Sequence, residues 1–258
     1  MRKKSFCGSS NVNNINNMFN NLLSNNKNNI ISTNYLINSN DDSKLIDVKS
    51  NNNLKNKDKE DESDDIVNNY INKKSIYELL SSLNNKYKGD VINGEVFKNT
   101  PNRFVKAFDE MTNGYSIDVN KLINSALFDI SSNYSEIVLV ENINFSSLCE
   151  HHLLPFFGKV SIGYIPNKKL LGLSKFARLV EAFSKRLSLQ ERLCKQIADG
   201  LQNNLNAVGV AVYIEALHNC ISLRGVKSID VCTKTTYYTG IFKLDTNKKL
   251  EFLNMLKK

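Results

Sequence analysis

Hydrophobic positions change period along this chain, and each period predicts an element. Leu79, Leu80 and Leu83 recur at helical spacing and predict a first helix. Phe104, Val105, Phe108 and Met111 predict a second, expected to open after Thr100 with Pro101 in its first turn, where the missing N–H costs nothing. Strands are expected over Ile137 to Phe145 and over Lys159 to Pro166. Two amphipathic helices follow: one from about Ser174 with Phe176, Ala177, Leu179, Val180 and Phe183 inward, the other from about Ser188 with Leu189, Leu193, Ile197 and Leu201 inward. From Val208 to Ser222 the residues Val208, Val210, Val212, Ile214, Ala216, His218 and Cys220 stand at every second position, as one face of a strand requires. A further strand is expected around Val231 to Lys243, and Leu250, Phe252, Leu253 and Leu256 predict a last helix. The order strand-strand-helix-helix-strand-strand implies an α+β layer, an antiparallel four-stranded sheet with helices gathered on one face, preceded by N-terminal helices.

The amino-terminal stretch has no such period. Asparagine crowds it at Asn11, Asn13, Asn14, Asn16, Asn17, Asn25, Asn26 and Asn51 to Asn53, and a charge run from Lys55 to Asp65 follows. Such a segment has little apolar surface to bury against the entropy of ordering. Residues 1–75 are therefore expected to be a mostly disordered extension and 76–258 the folded domain, with 76–125 its helical first part and 136–258 its core. The 258 residues, 41% of them apolar, suffice for such a domain plus an appendage.

Charge and cysteine usage narrow the partners. A net charge of +8 attracts polyanions, yet the chain carries no recognised nucleic-acid module and no evident array of stacking aromatics, so no nucleic acid is expected. Arg2, Lys3 and Lys4 could begin a targeting signal, but Asn11 to Asn17 interrupt the apolar run that would have to follow, and no stretch approaches a membrane span. The five cysteines are an odd set without the density of a disulfide scaffold. That fits a reducing compartment, so a cytoplasmic location and no membrane are expected.

The candidate chemistry lies in Cys149-Glu150-His151-His152 and in His218-Asn219-Cys220, which between them hold all three histidines of the chain. Cys149 and His152 are three apart, so on one helical turn they leave the backbone on the same side. Strand parity makes His218 and Cys220 point the same way. Thiolate and imidazole suit zinc, and an ion held by Cys149, His152 and Cys220 keeps its fourth tetrahedral position for water, as catalytic rather than structural sites do. The spacing alone also fits buried structural cysteines and a core histidine, and it matches no standard zinc-finger pattern.

The surrounding residues favour the metal. From Phe145 to Phe242 the chain resembles the GTP cyclohydrolase I family. The resemblance is carried by Cys149-Glu150-His151-His152, Gly158-Lys159-Val160, Gly163-Tyr164-Ile165-Pro166, Gly172-Leu173-Ser174-Lys175, Gln190-Glu191-Arg192-Leu193, and Glu215 to Cys220 with Arg224-Gly225. Upstream, Thr100-Pro101-Asn102-Arg103, Lys106-Ala107 and Glu110-Met111 resemble the helical segment that precedes that core, so the likeness spans about residues 76 to 258. It implies the tunnelling fold (T-fold), in which such units close into a pentameric barrel and pair as a homodecamer. It also implies zinc-dependent hydrolysis of GTP to 7,8-dihydroneopterin triphosphate and formate, the first step of tetrahydrofolate- or tetrahydrobiopterin-type pterin biosynthesis. His218 is then the candidate for protonating N7, His151 for proton transfer in the later steps at the ribose, and Ser174 for contact with the ribose hydroxyls.

Substrate contacts follow from chemistry and resemblance together. Lys175 and Arg178 lie one turn apart near the start of a helix, where free backbone N–H groups already favour an anion such as a triphosphate. Arg224 shares strand parity with His218 and Cys220, and Arg103 with Lys106 repeats the three-residue spacing upstream. The family uses the matching positions as a basic cradle, with the upstream pair reaching in from a neighbouring subunit; taken singly, such residues are ordinarily solvated surface charge. The resemblance assigns Gln190 and Glu191 to the guanine, yet Ser188-Leu189-Gln190-Glu191 is also a capping box in which Glu191 would only return to the Ser188 backbone. A zinc nucleoside deaminase is disfavoured because the chain has no Cys-x-x-Cys. Other pterin-related enzymes of the same fold and a catalytically silent GTP- or zinc-binding scaffold are the remaining alternatives.

Overall fold

The computed structural model describes residues 57–89, 91–130 and 134–257. Helix α1 runs over Lys57–Lys86 and α2 over Gly94–Thr112, followed by a 3-10 turn at Asn113–Ser116 and the short helix α3, Val119–Asn124. The boundary drawn at residue 75 falls inside α1, and residues 1–56 of the expected extension lie outside the described residues. Helix α2 also begins earlier than expected: Asn93 caps it, its side chain accepting from the Val96 N–H. Pro101 therefore sits inside α2 rather than in its first turn. It is tolerated there as a buried contact of an amphipathic helix whose other turns keep their bonds, although the ring removes one intrahelical donor.

The sheet comprises β2 (Val138–Cys149), β3 (Pro155–Ile165), β5 (Leu187–Ser188), β6 (Gly209–His218) and β7 (Cys232–Tyr238), in the spatial order β5-β2-β3-β6-β7. The four long strands are antiparallel neighbours, and the two-residue β5 adds a parallel edge that four strands alone did not anticipate. A second, two-stranded ladder pairs β1 (Leu127–Asp129) with β4 (Lys169–Leu171). Helices α4 (Leu173–Ser184) and α5 (Gln190–Leu205) lie between β4 and β6 in the chain.

Alternation along the strands splits the apolar residues between two clusters. Val160, Val210, Val212 and Ile214 share the larger one with Phe176, Leu179 and Val180 of α4 and Leu193, Ile197 and Leu201 of α5. Ala211 and Ile165 belong to a smaller cluster with Phe242 and Phe252. Phe252 comes from α8 (Thr246–Met255), which follows the one-turn helix α7 (Ile241–Leu244), so the predicted last helix contributes to a second core. Gly163 permits this approach: a Cβ there would lie 2.6 Å from the Phe252 ring.

Strand β6 ends sooner than its alternation suggested. After His218 the chain turns into the single helical turn α6, Asn219–Ser222. Cys220 is therefore not on the strand, and Arg224 lies beyond α6, so neither owes its place to strand parity.

Candidate functional site

Three chain segments converge at one end of the sheet. The first is the hairpin between β2 and β3, where Cys149 O accepts from the N–H of His152 at 3.3 Å and of Leu153 at 2.8 Å. This is one turn of helix-like geometry at a strand end rather than a helix, and it brings Cys149 Sγ to 3.7 Å from His152 Nδ1. Leu153 closes the turn at φ +53°, a left-handed conformation that costs a branched residue about 1–2 kcal/mol. The second segment is α6, whose turn compensates for the early end of β6 and carries Cys220 back to the same corner. Ligand atoms of Cys149, His152 and Cys220 all lie within 4.8 Å of one another.

This donor set fits a metal ion. Both cysteines are free thiols. Burial pushes the Cys220 thiol above its ordinary pKa, and the adjoining Cys149 sulfur adds to the shift. Two sulfurs with one imidazole nitrogen suit a borderline-soft ion such as zinc.

The third segment is the start of α5. Strand β5 pairs Leu187 with Leu148 and Ser188 with Cys149, and Glu150 N–H donates to Ser188 O at 3.2 Å. This pairing consumes Ser188, whose hydroxyl donates to Leu189 O, while Leu189 takes the cap position without a side-chain bond. The capping box is therefore not formed, and Glu191 stands exposed in the first turn of α5.

A cavity of about 240 Å³ opens where these segments meet, lined by Cys149, His151, His152, Phe156, Ser188, Gln190, Glu191, His218, Cys220 and Thr233 among others. His218 stacks on Phe156, its partner across the β3–β6 ladder, with ring centres 4.7 Å apart and planes 3° from parallel. Burial pushes its imidazole below the ordinary histidine pKa, and the negative charge of Glu191 partly opposes that. His151 is exposed, with Nε2 3.9 Å from a carboxylate oxygen of Glu150.

Seven of the residues singled out from sequence thus meet at one cavity: Cys149, His151, His152, Gln190, Glu191, His218 and Cys220. Ser174, Lys175 and Arg178 on α4, Arg103 and Lys106 on α2, and Arg224 do not line it. Lys175 Nζ instead donates to Ser125 Oγ at 2.9 Å, and Arg103 pairs with Glu95 at 3.3 Å. Arg224 is exposed, and its charge slightly favours the Cys220 thiolate.

Sequence reasoning gave no role to Glu150 and Arg192, which form a two-pronged ion pair from the hairpin to α5. Their opposite charges sit inside the two motifs that flank the site, which was the available signal. The pair ties the turn that carries the sulfur and imidazole donors to the helix that carries Gln190 and Glu191, a geometric restraint more than a large energy in so exposed a place.

The sequence model of the GTP cyclohydrolase I family matches residues 72–257. A protein named GTP cyclohydrolase 1 from Campylobacter jejuni is 48% identical over 168 residues, covering 65% of this chain and 87% of its own. Its namesake from Leptospira biflexa is 45% identical over 172 residues, 67% of this chain and 93% of its own. That from Rickettsia felis is 43% identical over 173 residues, 67% and 90% respectively. Among solved structures, an archaeosine synthase QueF-Like in the apo form is similar at 20% identity and a TM-score of 0.35, over 43% of this chain and 97% of its own, too weak a likeness to bear on the fold.

Proposed function

The chain is an enzyme of the GTP cyclohydrolase I family, and we propose that it hydrolyses GTP to 7,8-dihydroneopterin triphosphate and formate with one zinc ion per subunit. The observation that carries this reading is the convergence of Cys149, His152 and Cys220 within 4.8 Å beside a cavity lined by His151, His218, Gln190 and Glu191. Zinc bound there would supply hydroxide at neutral pH by lowering the pKa of water towards about 7. The remaining chemistry belongs to side chains. His218 delivers a proton to N7 of the guanine, which makes C8 electrophilic; water adds at C8 and the imidazole ring opens to a formamide, and a second water hydrolyses the remaining C8–N bond, releasing C8 as formate and leaving a free amine. His151, exposed and able to exchange protons with solvent, serves the later proton transfers at the ribose.

Glu191 is assigned to the guanine edge. A carboxylate accepts from both the ring N–H and the amino group, and with no capping box its oxygens are not committed to Ser188. Ser174, Lys175, Arg178, Arg103, Lys106 and Arg224 are assigned to ribose and triphosphate. Most of them stand away from the cavity of their own chain, which supports assembly into a T-fold pentamer and decamer whose neighbouring subunits supply them. Residues 76–258 are taken as the catalytic part and the Asn-rich extension as dispensable for chemistry.

Incubation of zinc-loaded protein with GTP, following formate and the fluorescence of the oxidised pterin, tests the reading. Stoichiometric release of both is expected. Binding of GTP without formate would overturn it in favour of a silent scaffold.

A further inference from the structure

Beside the proposed metal corner runs a hydrogen-bonded chain of residues outside the proposed ligand set. Gln190 is 2% exposed, and its amide is accounted for atom by atom. Nε2 donates to Ile214 O at 3.2 Å, to Thr233 O at 3.0 Å and to Thr235 Oγ1 at 3.1 Å, all on β6 and β7. Oε1 lies 2.8 Å from His218 Nε2. Turning the amide around would aim its oxygen at two backbone carbonyls, lone pair against lone pair, so the surroundings set its orientation. An amide oxygen only accepts. His218 Nε2 must therefore carry the hydrogen, and Nδ1 is left as the ring nitrogen able to exchange a proton.

We propose that Gln190 is a positioning residue for His218: its buried amide, anchored to β6 and β7, holds the imidazole in the Nε2–H tautomer and keeps Nδ1 for proton transfer. The inference rests on the reading of His218 as a proton donor to N7, and it moves Gln190 from contact with guanine to support of a catalytic ring. Nδ1 first takes up a proton from solvent through the open cavity and then passes it to N7, returning to its lone-pair form, while Nε2–H stays bonded to Gln190 throughout. Consecutive residues thus divide the work at the start of α5, with Glu191 exposed and Gln190 turned into the sheet. An amide suits the inner position because a carboxylate among Ile214 O, Thr233 O and Thr235 Oγ1 would bury a charge against acceptors. Phe156, stacked on the ring, holds it from its face.

The test uses the zinc-loaded full chain, with Gln190→Met removing donors and acceptor at similar volume and Thr235→Val loosening the amide without touching His218. Gln190→Met should keep zinc and leave KM for GTP little changed, with kcat lowered about 10–100-fold, the usual range for a partner that orients a functional imidazole. Thr235→Val should move kcat the same way by a smaller factor. Solid-state 15N spectra of histidine-labelled protein without GTP, with the His218 signals assigned by their absence from His218→Ala, should show a single Nε2–H tautomer in the natural chain and a mixture in Gln190→Met. An Nδ1–H tautomer in the natural chain, an unchanged tautomer in Gln190→Met, or a raised KM with kcat intact would each overturn the proposal. Should Gln190→Met fail to fold, the natural-chain spectrum and Thr235→Val decide it. The spectra need no turnover, so absence of formate release from the natural chain would defeat the functional reading and leave the Gln190–His218 assignment to be judged separately.

Discussion

The sulfur-and-imidazole corner and the basic face of α4 were both read from short motifs, yet the fold treats them in opposite ways. Cys149, His152 and Cys220 come from two places far apart in sequence and meet within one chain. Ser174, Lys175 and Arg178 lie within the first two turns of one helix and stay outside the cavity. Metal ligation demands convergence to a few tenths of an ångström, which backbone bonds of a strand end and a hairpin can impose. A phosphate cradle acts through long, exposed cations at larger distances, so it tolerates delivery by a second subunit. The difference implies that a single chain holds the complete proposed metal site and only part of the proposed substrate site.

The strongest blow to this division falls on the corner. Cys220→Ser and Cys149→Ala should each lose metal and turnover together, with formate release at background and metal analysis well below one ion per subunit. A folded Cys149→Ala, Cys220→Ala double variant with full zinc would remove the assignment. His218→Ala is expected to part the two properties, keeping metal and GTP binding while formate release collapses.

Next come Lys175→Met and Arg178→Met, which should keep zinc but lower kcat/KM for GTP by about 10–100-fold each, the equivalent of one hydrogen bond between charged groups. Co-assembly sharpens the comparison. If α4 serves a neighbour's cavity, inactive Cys220→Ser and Lys175→Met subunits refolded together should recover a fraction of the natural activity, because some cavities pair an intact corner with an intact lysine. No recovery in mixed oligomers would place corner and cradle on the same chain.

Glu191→Gln is a finer probe. The structure removes the competing explanation, since Leu189 occupies the cap and Ser188 is paired with Cys149 in β5. The variant should melt close to the natural protein while kcat/KM for GTP falls by about 1–3 kcal/mol of transition-state stabilisation, because an amide offers one acceptor and one mismatched donor to the guanine edge. A large loss of stability with normal turnover would restore a structural role for the carboxylate.

How much of this was legible varied with the range of the interaction. Strands β2 and β3 and helices α4, α5 and α8 follow from side-chain period, because one buried face dictates it. Cys220 was brought to the right place by the wrong element: apolar alternation continues through Ile214, Ala216 and His218, but nothing in that pattern marks the turn into α6. Ser188 read as a helix cap because capping is local, whereas its pairing with Cys149 joins residues that only the tertiary fold brings together. Pro101 read as a helix start for the same reason, since the Asn93 cap that displaces it lies a full two turns upstream. The Glu150–Arg192 pair and the bonds of Gln190 to Thr233 and Thr235 depend on contacts across elements and carry no periodic signal.

The smallest expected effect contrasts two cysteines outside the metal corner. Cys194 is 1% exposed on α5, with Sγ 3.5 Å from Val212 O, whereas Cys232 at the start of β7 is exposed. Burial pushes the Cys194 thiol up to about 12, the Thr235 hydroxyl opposing it and Glu191 adding to it. An unfolded cysteine ionises near ~8.5. The folded state thus holds the proton more tightly, so this thiol leaves stability unchanged below ~8.5 and withdraws it as pH rises from there to about 12. Cys194→Ala should flatten part of that alkaline decline in urea unfolding measured at pH 8 and pH 10, although it also opens a small cavity at both. In zinc-loaded protein at pH 8, an alkylating reagent should modify Cys232 promptly and Cys194 only as fast as the chain opens, since the thiolate is the nucleophile and Cys194 is both protonated and enclosed. Equal labelling rates at the two positions would mean that α5 leaves the sheet far more often than its fully buried Leu193, Ile197 and Leu201 allow.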